Sequence, residues 1–166
     1  MIQIKNAAEL QKMRKACAIS AAALKAGGEA IEPGITTAEI DKIIYDFIVR
    51  HGARPNFLHL YGFPATACIS VNDTVIHGIP NKQQQIRPGD IVSIDTGCKI
   101  DGFNGDNACT YACGKIDLEA QRLLDVTKES LHRGIEMACG GNRVGDIGHA
   151  VQSYVEENGF SVVRTF

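Results

Sequence analysis

Between Ile91 and Cys113, two runs rich in β-branched and apolar residues flank the dipeptide Asp101-Gly102. Asp-Gly between such runs is the strongest short-range hairpin signal, because a two-residue type I′ turn needs positive φ at both central positions. The segment therefore predicts antiparallel strands over 91–100 and 103–113. With a two-residue loop, position 97 faces 106 and position 95 faces 108. Strand side chains alternate with period two, so Asp95 and Gly97 share a face. Asp95 and Asp106 then become diagonal neighbours on that face, with Cβ atoms within roughly 7 Å. A four-residue loop keeps this parity and an odd-length loop destroys it.

Two carboxylates held that close repel, and one would ordinarily take up a proton. A cation resolves the conflict, and two divalent ions about 3.5–4 Å apart could be spanned by such a pair. Glycines at 97, 102 and 105 let backbones approach and leave the face uncluttered. Acids in a hairpin are ordinarily solvent-facing and idle. Here they interrupt the apolar runs Ile91-Val92-Ser93-Ile94 and Ala108-Cys109. Spacing alone leaves both readings open.

Composition narrows the field. A chain of 166 residues predicts one domain, taken here as 1–166. Apolar residues make up 45% and charged residues 22%, which excludes intrinsic disorder. The net charge of −2 leaves no basic footprint for nucleic acid. The longest apolar stretch, around Ala16 to Leu24, is too short to cross a bilayer, and Met1 to Asn6 lacks the apolar region of a signal peptide. Six cysteines form no C-x-x-C pair. Reduced thiols in a cytoplasmic, globular protein are the expectation.

The rest of the chain reads as α/β, of the α+β kind. Asn6-x-x-Glu9 opens a helix with Leu10, Met13, Cys17 and Leu24 on one face, ending near Ala26 at Gly27-Gly28. Thr36-x-x-Glu39 opens a second, with Ile40, Ile43, Ile44 and Phe47 as its stripe and Gly52 after it. Short strands and loops are expected over 57–79. Asp117 caps a third helix burying Leu124, Leu131 and Ile135, and a fourth runs over 142–158 with Ile147, Val151 and Val155 inward. Residues 160–166 read as a strand.

Among five histidines, His51, His132 and His149 read as surface or packing groups, and His59 lies in a loop of undefined direction. His77 differs: Val75-Ile76-His77-Gly78-Ile79-Pro80 grips it between a β-branched pair and a glycine, so it can be aimed. Gly140-Gly141-Asn142 lacks the Lys-Ser/Thr of a phosphate loop, and no G-x-S-x-G elbow occurs. Cys109 and Cys113 read as small core residues.

Tyr61-Gly62-Phe63-Pro64-x-x-x-Cys68-x-Ser70-x-Asn72-x-x-x-x-His77-Gly78-Ile79-Pro80 resembles type I methionine aminopeptidase. So do Gly89 to Gly97 and Asp101 to Asp106, and the similarity runs through the helices to Arg164. The start at Met1 resembles the short bacterial form. This resemblance implies part of a pita-bread (creatinase/aminopeptidase) fold, its first half, with an antiparallel hairpin-containing sheet covered by helices. It implies a dinuclear hydrolase that removes the initiator methionine from nascent polypeptides, an activity that could be ribosome-associated, with two divalent ions (Co, Mn, Fe or Zn). Asp95 and Asp106 would be its bridging or bidentate metal carboxylates. His77 would contact the substrate or the tetrahedral intermediate, Phe63, Cys68 and Phe57 would line the methionine pocket, and Asn72 and Thr74 would hold a monovalent cation through carbonyl oxygens. The remaining ligands, one histidine and two glutamates, would lie in a second half beyond Phe166, so the chain reads as truncated and weakly active or inactive alone. A homodimer could then cover the faces that half would occupy. The alternative is a catalytically silent binding or assembly module on the same fold. An X-Pro peptidase or creatine amidinohydrolase fits less well, because His-Gly-Ile-Pro favours the methionine enzyme.

Overall fold

The computed structural model describes residues 3–164, which form two compact units meeting at residues 116 and 117. The first begins with α1 (Ala7–Glu29) and α2 (Thr37–Arg50), each opened by a reciprocal capping box. The Asn6 side chain accepts from the Glu9 amide at 3.0 Å while Glu9 accepts from the Asn6 amide at 2.8 Å. Thr36 and Glu39 repeat the arrangement. Two otherwise orphaned amides are satisfied at each helix start.

α1 runs through Gly27 and Gly28 rather than stopping before them. The glycines are close-packing positions: a Cβ at Gly27 would lie 2.7 Å from Ile44 Cδ1, and one at Gly28 would collide with the Tyr111 ring. The buried face of α1 is also not the expected one. It consists of Ala16, Ser20, Ala23, Leu24 and Gly27, while Leu10 and Cys17 are exposed. Small side chains there let the helix lie close on the sheet. In α2 the inward residues are Thr37, Ile40, Ile44 and Ile48.

The sheet has four strands, β1 (Arg54–Pro55), β2 (Ala67–Val71), β3 (Ile91–Ile100) and β4 (Phe103–Ala112), all antiparallel to the long β3. The register of β3 and β4 is the predicted one: Ile100 pairs with Phe103, Gly97 with Asp106 and Asp95 with Ala108. Asp101 and Gly102 take φ of 52° and 85°, as a type I′ turn demands. Val92, Ile94 and Cys98 on one face of β3 join Ile40, Ile44, Ile48 and Ile69 in the core. The opposite face of β3 carries Ser93, Asp95 and Gly97. Cys113 is buried as expected, whereas Cys109 is exposed.

The second unit pairs α3 (Leu118–Glu136) with α4 (Val144–Glu157). Its inward face on α3 is Val126, Ser130 and Gly134; Leu131 and Ile135 are each 58% exposed, contrary to the sequence pattern. Gly134 explains the shift, since a Cβ there would stand 2.9 Å from Val151 of α4, so the helices meet through the glycine. Residues 160–164 form no strand; 165 and 166, included in that expectation, lie outside the described residues. No helix among the described residues is long and apolar enough to cross a membrane.

Candidate metal centre and substrate cavity

The register places Asp95 of β3 and Asp106 of β4 on one face of the sheet, with Gly97 directly opposite Asp106. Cys68 of β2 pairs with Asp95 and points to the same side. Between the strands of the hairpin the Ser93 and Thr110 hydroxyls hydrogen-bond at 2.8 Å, tying the sheet together two residues from Asp95. Burial lifts the Asp95 carboxyl above its ordinary range, the neighbouring Asp106 charge lifts it further, and His77 offsets part of this. Asp95 therefore feels both Asp106 and His77. Neither carboxylate is ion-paired among the described residues.

Asp95 also forms one wall of a cavity of about 470 Å³ lined by Phe57, Leu60, Tyr61, Gly62, Phe63, Pro64, Cys68, His77 and Ile79. Phe57, Phe63, Cys68 and His77 thus meet in one place. Phe57 packs over the bare face of Gly97: a Cβ there would stand 3.2 Å from its ring. Asp106 is not part of the cavity wall and is exposed to solvent. Burial, with Asp95, Asp106 and Asp41 nearby, pushes the Cys68 thiol up to about 11. It stays protonated at neutral pH and serves as soft apolar lining, not as a nucleophile.

His77 is held by its neighbour. Gly78 accepts from the Ile69 amide at 2.8 Å and donates to Ser70 Oγ at 3.0 Å, so the loop is pinned along β2. A Cβ at 78 would collide with the Ile69 carbonyl, which requires glycine there. His77 itself has φ of 58°, unusual for a residue with a Cβ. His59 and Tyr61 take φ of 68° and 50° on either side of the lining residue Leu60. Leu60, Tyr61 and Ile79 were not among the predicted lining residues. Their signal was the apolar and aromatic run interrupted by glycine and proline, but which of these exposed residues border the cavity depends on φ values the sequence does not display.

Asn72 and Thr74 lie apart, in the exposed loop after β2. The Asn72 side chain donates to Asp90 at 2.9 Å and accepts from the Ile91 amide at 3.0 Å, so it pins that loop to the start of β3.

Hard carboxylate oxygens free of cationic side chains suit a divalent ion, so the donor chemistry at Asp95 and Asp106 fits a metal. It is an incomplete set: among the described residues no group of three or more His, Cys, Asp or Glu could hold one.

An antiparallel sheet packed against α1 and α2 thus carries two acids on one face beside an apolar cavity. Residues 11–166 match the model of metallopeptidase family M24, and the chain belongs to that family. Within it the chain is similar to methionine aminopeptidases. It is 51% identical over 166 residues to the methionine aminopeptidase of Clostridium perfringens, covering 100% of this chain and 66% of that protein. The crystal structure of methionine aminopeptidase from Rickettsia prowazekii superposes with a TM-score of 0.97 at 38% identity, covering 100% of this chain and 66% of that one. The Thermotoga maritima enzyme gives 0.96 at 37% identity, covering 100% and 67%. The pita-bread fold expected from the sequence is the fold of these neighbours. The chain spans 66% of the length of the curated relatives it matches first.

Proposed function

We propose that this protein hydrolyses the peptide bond after an N-terminal methionine, removing the initiator residue from nascent polypeptides in the cytoplasm. The observation that carries the reading is the shared face of Asp95 and Asp106 opening beside an apolar cavity that also holds His77. Asp95 and Asp106 would hold two divalent ions, of the Co, Mn, Fe or Zn kind. Bound there, such ions would acidify water and polarise the scissile carbonyl.

The chain's own residues do the rest. Phe57, Phe63 and Cys68 receive the methionine side chain, whose unbranched thioether matches a soft apolar slot. Burial of that side chain contributes about 1.5–3 kcal/mol of binding, and orients the bond to be cut towards Asp95. His77, anchored through Gly78, would hydrogen-bond the substrate as charge develops on its carbonyl oxygen. Carbonyl oxygens of Asn72 and Thr74 would hold a monovalent cation that stiffens the loop leading to His77. The described residues are the N-terminal portion of a peptidase domain, with the remaining metal donors supplied by the part of the relatives' length that this chain does not span.

The test is hydrolysis of a Met-Ala-led peptide with added cobalt or manganese, by this chain and by the full protein that carries the sequence. Turnover by the full protein, lost in Asp95→Asn and Asp106→Asn, supports the reading. Silence in both forms with every metal overturns it in favour of a binding module on the same fold.

A further inference from the structure

β2 has β3 on one side only, so its outward amides need other partners. Ala67 and Ile69 are 0% and 1% exposed, and an unpaired amide buried there would be costly. Ile69 donates to the Gly78 carbonyl, which fixes His77. Ala67 donates to no backbone group along that edge. Its amide reaches Asp41 Oδ1 at 2.8 Å, and the Thr66 amide reaches the same oxygen at 2.9 Å. Asp41 sits on α2 beside Ile40, which is fully buried and locks the helix in the core. The acceptor is therefore delivered by a rigid element and stands in for a neighbouring strand.

What those two amides control follows from the chain on either side. Shortly before them come Phe63 and Pro64, the end of the cavity wall, with the buried Ala65 between. Immediately after comes Cys68, paired with Asp95. We infer that Asp41 is a positioning residue for the cavity: its Oδ1 fixes where the wall turns into β2, and so sets Phe63 and Cys68 against Asp95. The identity of the substrate rests on the peptidase reading above, whereas the anchoring geometry does not.

Both hydrogen bonds fall on a single oxygen, and that makes the role separable from charge. Asparagine keeps an acceptor at Oδ1, alanine removes it, and glutamate keeps a carboxylate but displaces it along the longer side chain. Asp41→Asn, Asp41→Ala and Asp41→Glu are compared in the full protein with manganese and a Met-Ala-led peptide. Asp41→Asn is expected to keep KM and kcat within about twofold. Asp41→Ala is expected to raise KM about tenfold while kcat falls less than about threefold, the pattern of a misplaced binding wall around intact chemistry. Amide exchange at Thr66 and Ala67 should accelerate in Asp41→Ala while Ile69 stays protected, and Cys68 should become alkylated faster by iodoacetamide. Unchanged KM and unchanged exchange in Asp41→Ala, or an Asp41→Asn as impaired as Asp41→Ala, overturns the inference. If Asp41→Ala fails to fold, Asp41→Glu decides: a KM raised about threefold supports the role and a parental KM refutes it. If the parent hydrolyses no peptide, the peptidase reading falls, and exchange and alkylation alone judge Asp41.

Discussion

At the scale of single residues, the site is built from groups that are unfavourable without their ligands. Asp95 is half-buried, next to a second acid, and burial keeps its carboxyl above the ordinary range. Without metal, Asp106→Asn relieves that repulsion. The variant should unfold at higher denaturant than the parent in EDTA, by about 0.5 kcal/mol at neutral pH, and show a smaller manganese-induced gain in melting temperature. Asp41, which holds no ligand, is also an acid kept above its ordinary range: burial raises its pKa, and the hydrogen bonds from Ala67 and Thr66 only partly offset the rise. A carboxyl with a raised folded-state pKa binds more protons folded than unfolded, so its contribution to stability is complete below the ordinary carboxylate range and is lost as pH rises through the folded value. Asp41→Asn, with the acceptor kept and the charge gone, should therefore melt above the parent at pH 7. The difference should close as pH falls below that range, which paired melting curves from pH 3 to 8 would read directly.

At the scale of elements, fit between backbones matters more than the apolar pattern. α1 presses on β4 at one point, where a Cβ on Gly105 would collide with the Ala16 carbonyl and stand 2.7 Å from Cys17 Cα. Both partners are backbone and cannot give way. Gly105→Ala should cost about 2–3 kcal/mol, seen as a lower urea midpoint with an unchanged slope. Since Gly105 is next to Asp106, the manganese-induced shift should fall as well. Such contacts explain what the sequence did and did not reveal. The hairpin register was legible because Asp101-Gly102 admits one tight turn and parity then places Asp95 and Asp106 together. Both capping boxes were legible because they are local, four residues long. The course of α1 through Gly27-Gly28, and its buried face of Ala16, Ser20 and Ala23, were not, because a small residue facing a close neighbour looks like a helix breaker until the neighbour is known. Leu131 and Ile135 misled for the reverse reason: α3 meets α4 at Gly134, so the apolar spacing marks a face other than the packed one. Of the residues around the cavity, Phe57, Phe63, Cys68 and His77 are those the family resemblance named, while the places of Leu60 and Tyr61 depend on left-handed backbone at His59 and Tyr61 that no local pattern announces.

At the scale of the molecule, the donor count limits what this length of chain can do. Asp95 and Asp106 share a face, yet among the described residues no group of three or more His, Cys, Asp or Glu could hold a metal, and the chain spans 66% of its relatives' length. Divalent affinity rises with the number and rigidity of charged oxygen ligands, and sites with few protein ligands bind at roughly millimolar concentration. Two carboxylates on adjacent strands are rigid, since the Ser93–Thr110 bond and the tight turn hold the hairpin on both sides of them. They are also few, and Asp106 is open to water, which competes for the ion. Calorimetric titration of the chain with manganese should therefore give a dissociation constant of about 1 mM or weaker, lost in the Asp95→Asn, Asp106→Asn double variant. The full protein should bind at least about 100-fold more tightly, because added donors on a preformed carboxylate pair multiply affinity without a further cost of bringing the acids together. Equal affinity in both forms would mean that the carboxylate pair is the whole site and that the remaining length contributes no ligand.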